Sequence, residues 1–351
     1  MSNELDRRFL LGGFAGVAGA SALAAMAKGG PLDPPAGAVG PSGSTLQQLS
    51  DKIARSDSGV AEPRIPVTST TCPGDLRGVY VITQPGSYYL IENLSGVAGK
   101  PCIYITAANV VLDMMGFAIS GGSDGIVYIG SEGFTLRNGL IHNLTGSAVN
   151  AASLLTNAGP SWIENLRIKF CTGSGLLITG GSIVRNCVIR NCGGTGISTG
   201  QQCLIEGCTI SLCDAQGIAL TGANSVVRGC NLINCLAPGV SISSVWCTIV
   251  GNVLSACGSS SGSTRAAIRC AGSINYIAEN RLYNNPFGIE CTAGGNIVVS
   301  NTVAGSTSAF ELAAGNLYGP IVAPSGATPA VSGGAAASTM ASVDPRANFV
   351  F

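Results

Sequence analysis

The chain has 351 residues, of which 50 are Gly and only 10% are charged, and its 18 Lys and Arg are balanced by 18 Asp and Glu. A formal net charge of zero removes the electrostatic reason to expect nucleic acid or an anionic membrane surface as a partner. Abundant Gly, Ser, Thr, Val and Ile make poor helices but good short strands with tight turns, so one elongated repeat domain is expected.

Residues 1–27 read as an export signal. Arg7-Arg8 precedes a Gly/Ala-rich apolar run from Phe9 to Met26 that closes on Ala25-Met26-Ala27, an A-x-A cleavage pattern. The segment resembles a twin-arginine leader, with Asp6 where Ser or Thr is usual and no Lys after Leu11. That resemblance implies export to the periplasm, the cell surface or the medium. The alternative is an uncleaved anchor, because the run approaches spanning length although Gly dilutes it. No later stretch is long and apolar enough to span a bilayer. Residues 28–60 hold a Pro/Gly-rich linker over 28–43 and then a short helix capped by Ser44-Thr45. Leu46, Leu49 and Ile53 share one face of that helix, which suits covering an open first coil or joining a second copy.

From 61 to 318 the sequence repeats. Lead-in strands are expected over 79–91 (VYVITQPGSYYLI) around a Pro-Gly turn. Then IVRNCVIRNC (183–192), LIEGCTISLC (204–213), VVRGCNLINC (226–235), TIVGNVLSAC (248–257), YIAENRLYNN (276–285) and VVSNTVAGS (298–306) recur every 21 or 22 residues, with one longer step. One aliphatic column runs Ile141, Ile168, Ile189, Ile210, Leu232, Leu254, Leu282, Val303, and a second runs Leu136, Ile163, Val184, Ile205, Val227, Ile249, Ile277, Val298. Only a buried stack demands an aliphatic at the same step every time. A third strand recurs at Leu176, Ile197, Ile218, Val240, Ile268 and Ile289, usually after Gly. Three short strands per coil predict an all-β fold, a right-handed single-stranded parallel β-helix with about nine coils between Ile103 and Phe310.

The 14 cysteines fall into the same register, with Cys171, Cys192, Cys213, Cys235 and Cys257 in one column. Cys187, Cys208 and Cys230 form another that Asn252, Asn280 and Asn301 continue. Both columns read as buried thiols at crowded inner corners, with an occasional bridge between coils as the alternative. Ligands one coil apart make a line rather than a tetrahedron, so no metal site is expected. Asp113, Arg137, Glu164, Arg185, Glu206 and Arg228 take one outward position with alternating sign, which pins register and argues against Glu164 or Glu206 as a catalytic acid. Residues 319–351 form a low-complexity tail, expected to be disordered over 319–347 and ending in the apolar Asn348-Phe349-Val350-Phe351.

The runs GPLDPPAGAVGPSG, EPRIPV, TQPGSYYLIENL and VVLDMMGFAISG, followed by stacked Gly-Ile and Asn-Cys repeats, resemble a family of exported bacterial right-handed β-helix repeat proteins. More broadly the pattern is similar to the pectin-lyase-like superfamily of polysaccharide lyases, hydrolases, epimerases and adhesins. The resemblance implies a polysaccharide or a cell-envelope component as partner; it does not carry an activity.

Residues that could do chemistry are few. Of the signatures shared by polygalacturonase-type hydrolases, only Arg167-Ile168-Lys169 is present; no Asp-Asp pair and no Gly-His-Gly occurs. The sole histidine, His142, heads an outward column continued by Lys169 and Arg190, with Arg167 at the next outward position of its own strand. That column predicts a basic stripe suited to an acidic polysaccharide, the other possibility being a merely solvated face. No nucleophile motif, nucleotide fingerprint or cofactor motif is present. Two functions remain open. One is a non-enzymatic glycan-binding or cell-surface protein. The other is a polysaccharide lyase working with Arg167, Lys169, Arg190 and His142, for which the insertions at 151–161 and 258–264 would supply groove walls.

Overall fold

The computed structural model describes residues 63–152, 159–259, 265–319, 321 and 331–332. The chain divides into two units, Met1–Ala61 and Glu62–Phe351, and the architecture below is that of the second. The expected leader, linker and capping helix lie outside the described residues, as do 153–158 and 260–264 within the two insertions.

Every strand pairing among the described residues is parallel, and no helix occurs there. Each regular coil lays two short strands in a 20-stranded sheet and one in a 12-stranded sheet. In the smaller sheet, neighbours such as Leu176–Ile178, Ile197–Thr199 and Ile218–Leu220 follow one another directly. Its 12 strands make 11 steps of about 4.8 Å each. The nine coils expected between Ile103 and Phe310 are present, and the ladder continues one strand beyond each end. Tyr80–Ile82 precedes it, and Val331–Ser332 pairs with Phe310–Glu311. That strand lies within 319–347, of which only 319, 321 and 331–332 are among the described residues.

The aliphatic columns are the core. Leu136, Ile163, Val184, Ile205 and Val227 pair rung by rung and are wholly buried. Ile141, Ile168, Ile189, Ile210 and Leu232 do the same on the adjoining strand segment. Period-two alternation inside each three-residue strand forces the intervening side chains outward. Glycine precedes the third strand because space there is closed by the next coil. A Cβ at Gly196 would lie 2.5 Å from the Gly217 carbonyl oxygen and 2.6 Å from Ile210 Cγ2.

Corners are made by residues in the left-handed region, most of them followed by an inward Cys, Asn, Ser or Gly, although Asn109, Asn143 and Asn165 precede the buried aliphatics Val110, Leu144 and Leu166. On one coil these are Asn186 (φ 52°) before Cys187 and Asn191 (φ 55°) before Cys192. All 14 cysteines are buried free thiols. Where a column changes from Cys to Asn, the amide takes over backbone groups the thiol cannot satisfy as well. The Cys230 N–H donates to Asn252 Oδ1 (2.9 Å), and the Asn252 N–H and Nδ2 both donate to Asn280 Oδ1 (3.0 Å each). A parallel ladder runs through Asn275, Asn296 and Asn316 at another corner.

Candidate functional site

The charge ladder has the register that its alternating signs require. Asp113 pairs with Arg137, Arg137 with Glu164, Glu164 with Arg185, Arg185 with Glu206 and Glu206 with Arg228. Ion pairs close at Asp113–Arg137 (3.0 Å), Arg185–Glu206 (3.0 Å) and Arg228–Glu206 (2.7 Å). Glu164 instead accepts a hydrogen bond from the Trp162 indole (3.1 Å), and the Arg185 guanidinium lies over that ring at 5.5 Å. The Arg228 hydrogen bond is the largest influence holding the Glu206 carboxyl below its usual range. These carboxylates are occupied in structure.

The neighbouring outward column differs. Strands Phe134–Leu144, Ser161–Cys171 and Val188–Cys192 place His142, Lys169 and Arg190 on three successive rungs, bracketed by Ser120 and Ser211. Arg167 stands between Leu140 and Val188 on the next outward column. No carboxylate among the described residues lies within 4 Å of Arg167, Lys169 or Arg190. Arg167, Lys169 and Arg190 line one concavity of about 410 Å³, together with Phe170, Val188 and Asn191. His142 adjoins it one rung away but is not part of its lining. The structure thus brings together three of the four residues picked out in the sequence.

Phe170 was not among them. It is 50% exposed and holds φ at 55°, a conformation that costs a bulky residue about 1–2 kcal/mol. Lys169 Nζ lies 5.7 Å from its ring centroid, and an exposed cation–π contact returns only about 0.5–1 kcal/mol. The sequence signal is weak: Phe170 stands in a corner column that reads Asn143, Asn191, Asn234 and Asn284 on four other coils but Leu212 and Ala256 on two more. The insertion at 151–161 rejoins the fold at Ser161, at the opposite end of the strand from Lys169.

A second concavity of about 130 Å³, at the first described coils, is lined by Thr71, Asp75, Arg77 and Tyr88 among others. Its arginine is already held by Asp75 at 2.6 Å. Among the described residues no group of three or more His, Cys, Asp or Glu side chains is placed to hold a metal ion, and no helix is long and apolar enough to cross a membrane.

Stacked parallel coils with inward aliphatic columns define a parallel β-solenoid. The chain belongs to the right-handed β-helix family: the model of the right-handed β-helix region matches residues 101–252 and 154–309. No curated protein matches it. Solved structures with a similar fold include the A-module of a mannuronan C-5 epimerase from Azotobacter vinelandii, at 12% identity and a TM-score of 0.46, covering 74% of this chain and 91% of that one. An alginate lyase from Paenibacillus sp. aligns at 14% identity and a TM-score of 0.40, over 75% of this chain and 93% of that one. The catalytic domain of an α-1,3-glucanase aligns at 14% identity and a TM-score of 0.43, over 81% and 59% respectively. At these identities the likeness is one of fold.

Proposed function

We infer that the protein is an exported, non-enzymatic β-helix that binds an acidic polysaccharide, free or in the cell envelope, on the face formed by Arg167, Lys169 and Arg190, with His142 at its edge. The observation that carries this reading is the contrast between two adjacent outward columns. In one, arginines are neutralised by in-register carboxylates. In the other, Lys169 and Arg190, joined by Arg167 from the next outward column, line a concavity with no carboxylate among the described residues within 4 Å. Cations stacked about 4.8 Å apart repel one another, so an arrangement that keeps them together is relieved by a bound polyanion. The twin-arginine-like leader supports placement outside the cytoplasm, where such polymers are met.

Calorimetric titration of the full chain with polygalacturonate, alginate and neutral dextran tests it. Polyuronates are expected to bind and dextran is not. Lys169→Ala and Arg190→Ala should each weaken binding about fivefold, and added salt should weaken it further. Equal binding of dextran, or indifference to both substitutions, would overturn the reading. A polysaccharide lyase would use the same side chains as base and carboxylate neutraliser. Ultraviolet-absorbing unsaturated product that disappears in Lys169→Ala would establish that activity instead.

A further inference from the structure

We propose that Phe170 is a stacking platform for a sugar ring, so that this face selects uronate-type pyranose chains over polyanions that lack rings. The proposal deepens the polyanion-binding reading and rests on it. Register places Phe170 between Asn143 and Asn191 in a corner column that continues through Leu212, Asn234, Ala256 and Asn284, all with φ of 51–55°. Asn tolerates this left-handed conformation because its side chain is short and polar, whereas an aromatic side chain is strained in it. The backbone therefore gives no reason for Phe at 170.

Burial gives none either, since the ring is half exposed while Ile168 and Cys171 on either side supply the core contacts. Its location does. The ring lines the same concavity as Arg167, Lys169 and Arg190. Met115, Leu212, Trp246 and Ile274 are also exposed apolar residues at left-handed corners, so it is the place of Phe170 beside three cations in the concavity that sets it apart. A pyranose presents C–H bonds on one face and, in a uronate, a carboxylate at its edge. The C–H face packs on the π-system while the carboxylate meets the guanidinium or ammonium groups. A polypeptide or phosphate polyanion offers the charge without the apolar face.

The test compares polygalacturonate with polyglutamate of matched length and charge, titrated calorimetrically into the full-length wild type, Phe170→Asn, Phe170→Trp and Lys169→Ala. Wild type should prefer polygalacturonate. Phe170→Asn should weaken that polymer about fivefold, leave polyglutamate unchanged and raise the thermal midpoint by roughly 2 °C, since Asn relieves the strained corner. Phe170→Trp should keep the preference. If wild type binds polygalacturonate through Lys169 and Phe170→Asn binds it equally well, the platform is refuted while the polyanion reading survives. If Phe170→Asn lowers the thermal midpoint, the ring is a structural cover and the proposal fails. If neither polymer binds in a Lys169-dependent way, the polyanion reading falls and the platform with it.

Discussion

Asp113 shows how a carboxylate is held at a buried position of the outward charge column. It is 5% exposed, and its carboxylate accepts hydrogen bonds from the Met115 N–H (3.0 Å), Arg137 Nε (3.0 Å) and Asn138 Nδ2 (3.2 Å). Burial alone would push its carboxyl upward, but these donors and the Arg137 charge outweigh it and hold the group below the usual carboxylate range. A depressed folded-state pKa means stabilisation that is complete above the unfolded value, about 4, and is lost as pH falls through the folded one. Asp113→Asn is therefore expected to cost about 2 kcal/mol at neutral pH. Thermal midpoints of the two proteins, followed across pH, should converge in acid below about pH 4. A gap that stays constant down to the acid limit would contradict this assignment.

At the scale of an element, the Asn ladder does what a strand cannot do for itself. Asn280 Nδ2 donates to the Ile249 carbonyl (2.9 Å) and to Asn301 Oδ1 (3.0 Å), while its Oδ1 accepts from Asn252. Corners of a coil leave backbone groups unpaired, and in a dry interior each unmet group costs about 1–3 kcal/mol. Asn280→Ala strands several at once and should cost about 3 kcal/mol, read as a lowered urea midpoint. The Cys columns fill equivalent corners with less hydrogen bonding and more packing. Outside those columns, burial pushes the Cys102 thiol up to about 12, which suits an inert hydrophobe rather than a nucleophile at that position.

At the scale of the whole unit, stability is a sum over coils and the contacts between neighbours, because each coil touches only the one before and the one after. The pairing of Cys171 with Cys192 and of Arg190 with Ser211 shows that successive coils are superimposable in register. Deleting residues 193–213 joins Cys192 to Asp214 at the equivalent point of the next coil and should leave a shorter, still cooperative solenoid. Circular dichroism should keep its β signature, and the thermal transition should remain single although lower. A broad or two-step transition would show that this coil is not an interchangeable unit.

Sequence periodicity by itself determined the coil, its three strands, its inward columns and the register of the charge ladder. The reason is that a side chain's direction is set by backbone alternation, and only one stacking keeps every aliphatic dry. The basic stripe was legible for the same reason, since His142, Lys169 and Arg190 share a column whatever the surrounding shape. Packing between coils, rather than column membership, settles which charges are neutralised and which are left unpaired among the described residues. Column membership places Glu164 level with two arginines, yet its side chain turns to the Trp162 indole. Three cations close on one concavity while His142, in register with Lys169 and Arg190, stays outside its lining. Whether Phe170 faces that concavity or covers the core was decided there as well, because the direction taken by a side chain at a left-handed corner depends on the coils above and below it, and a linear pattern does not contain them.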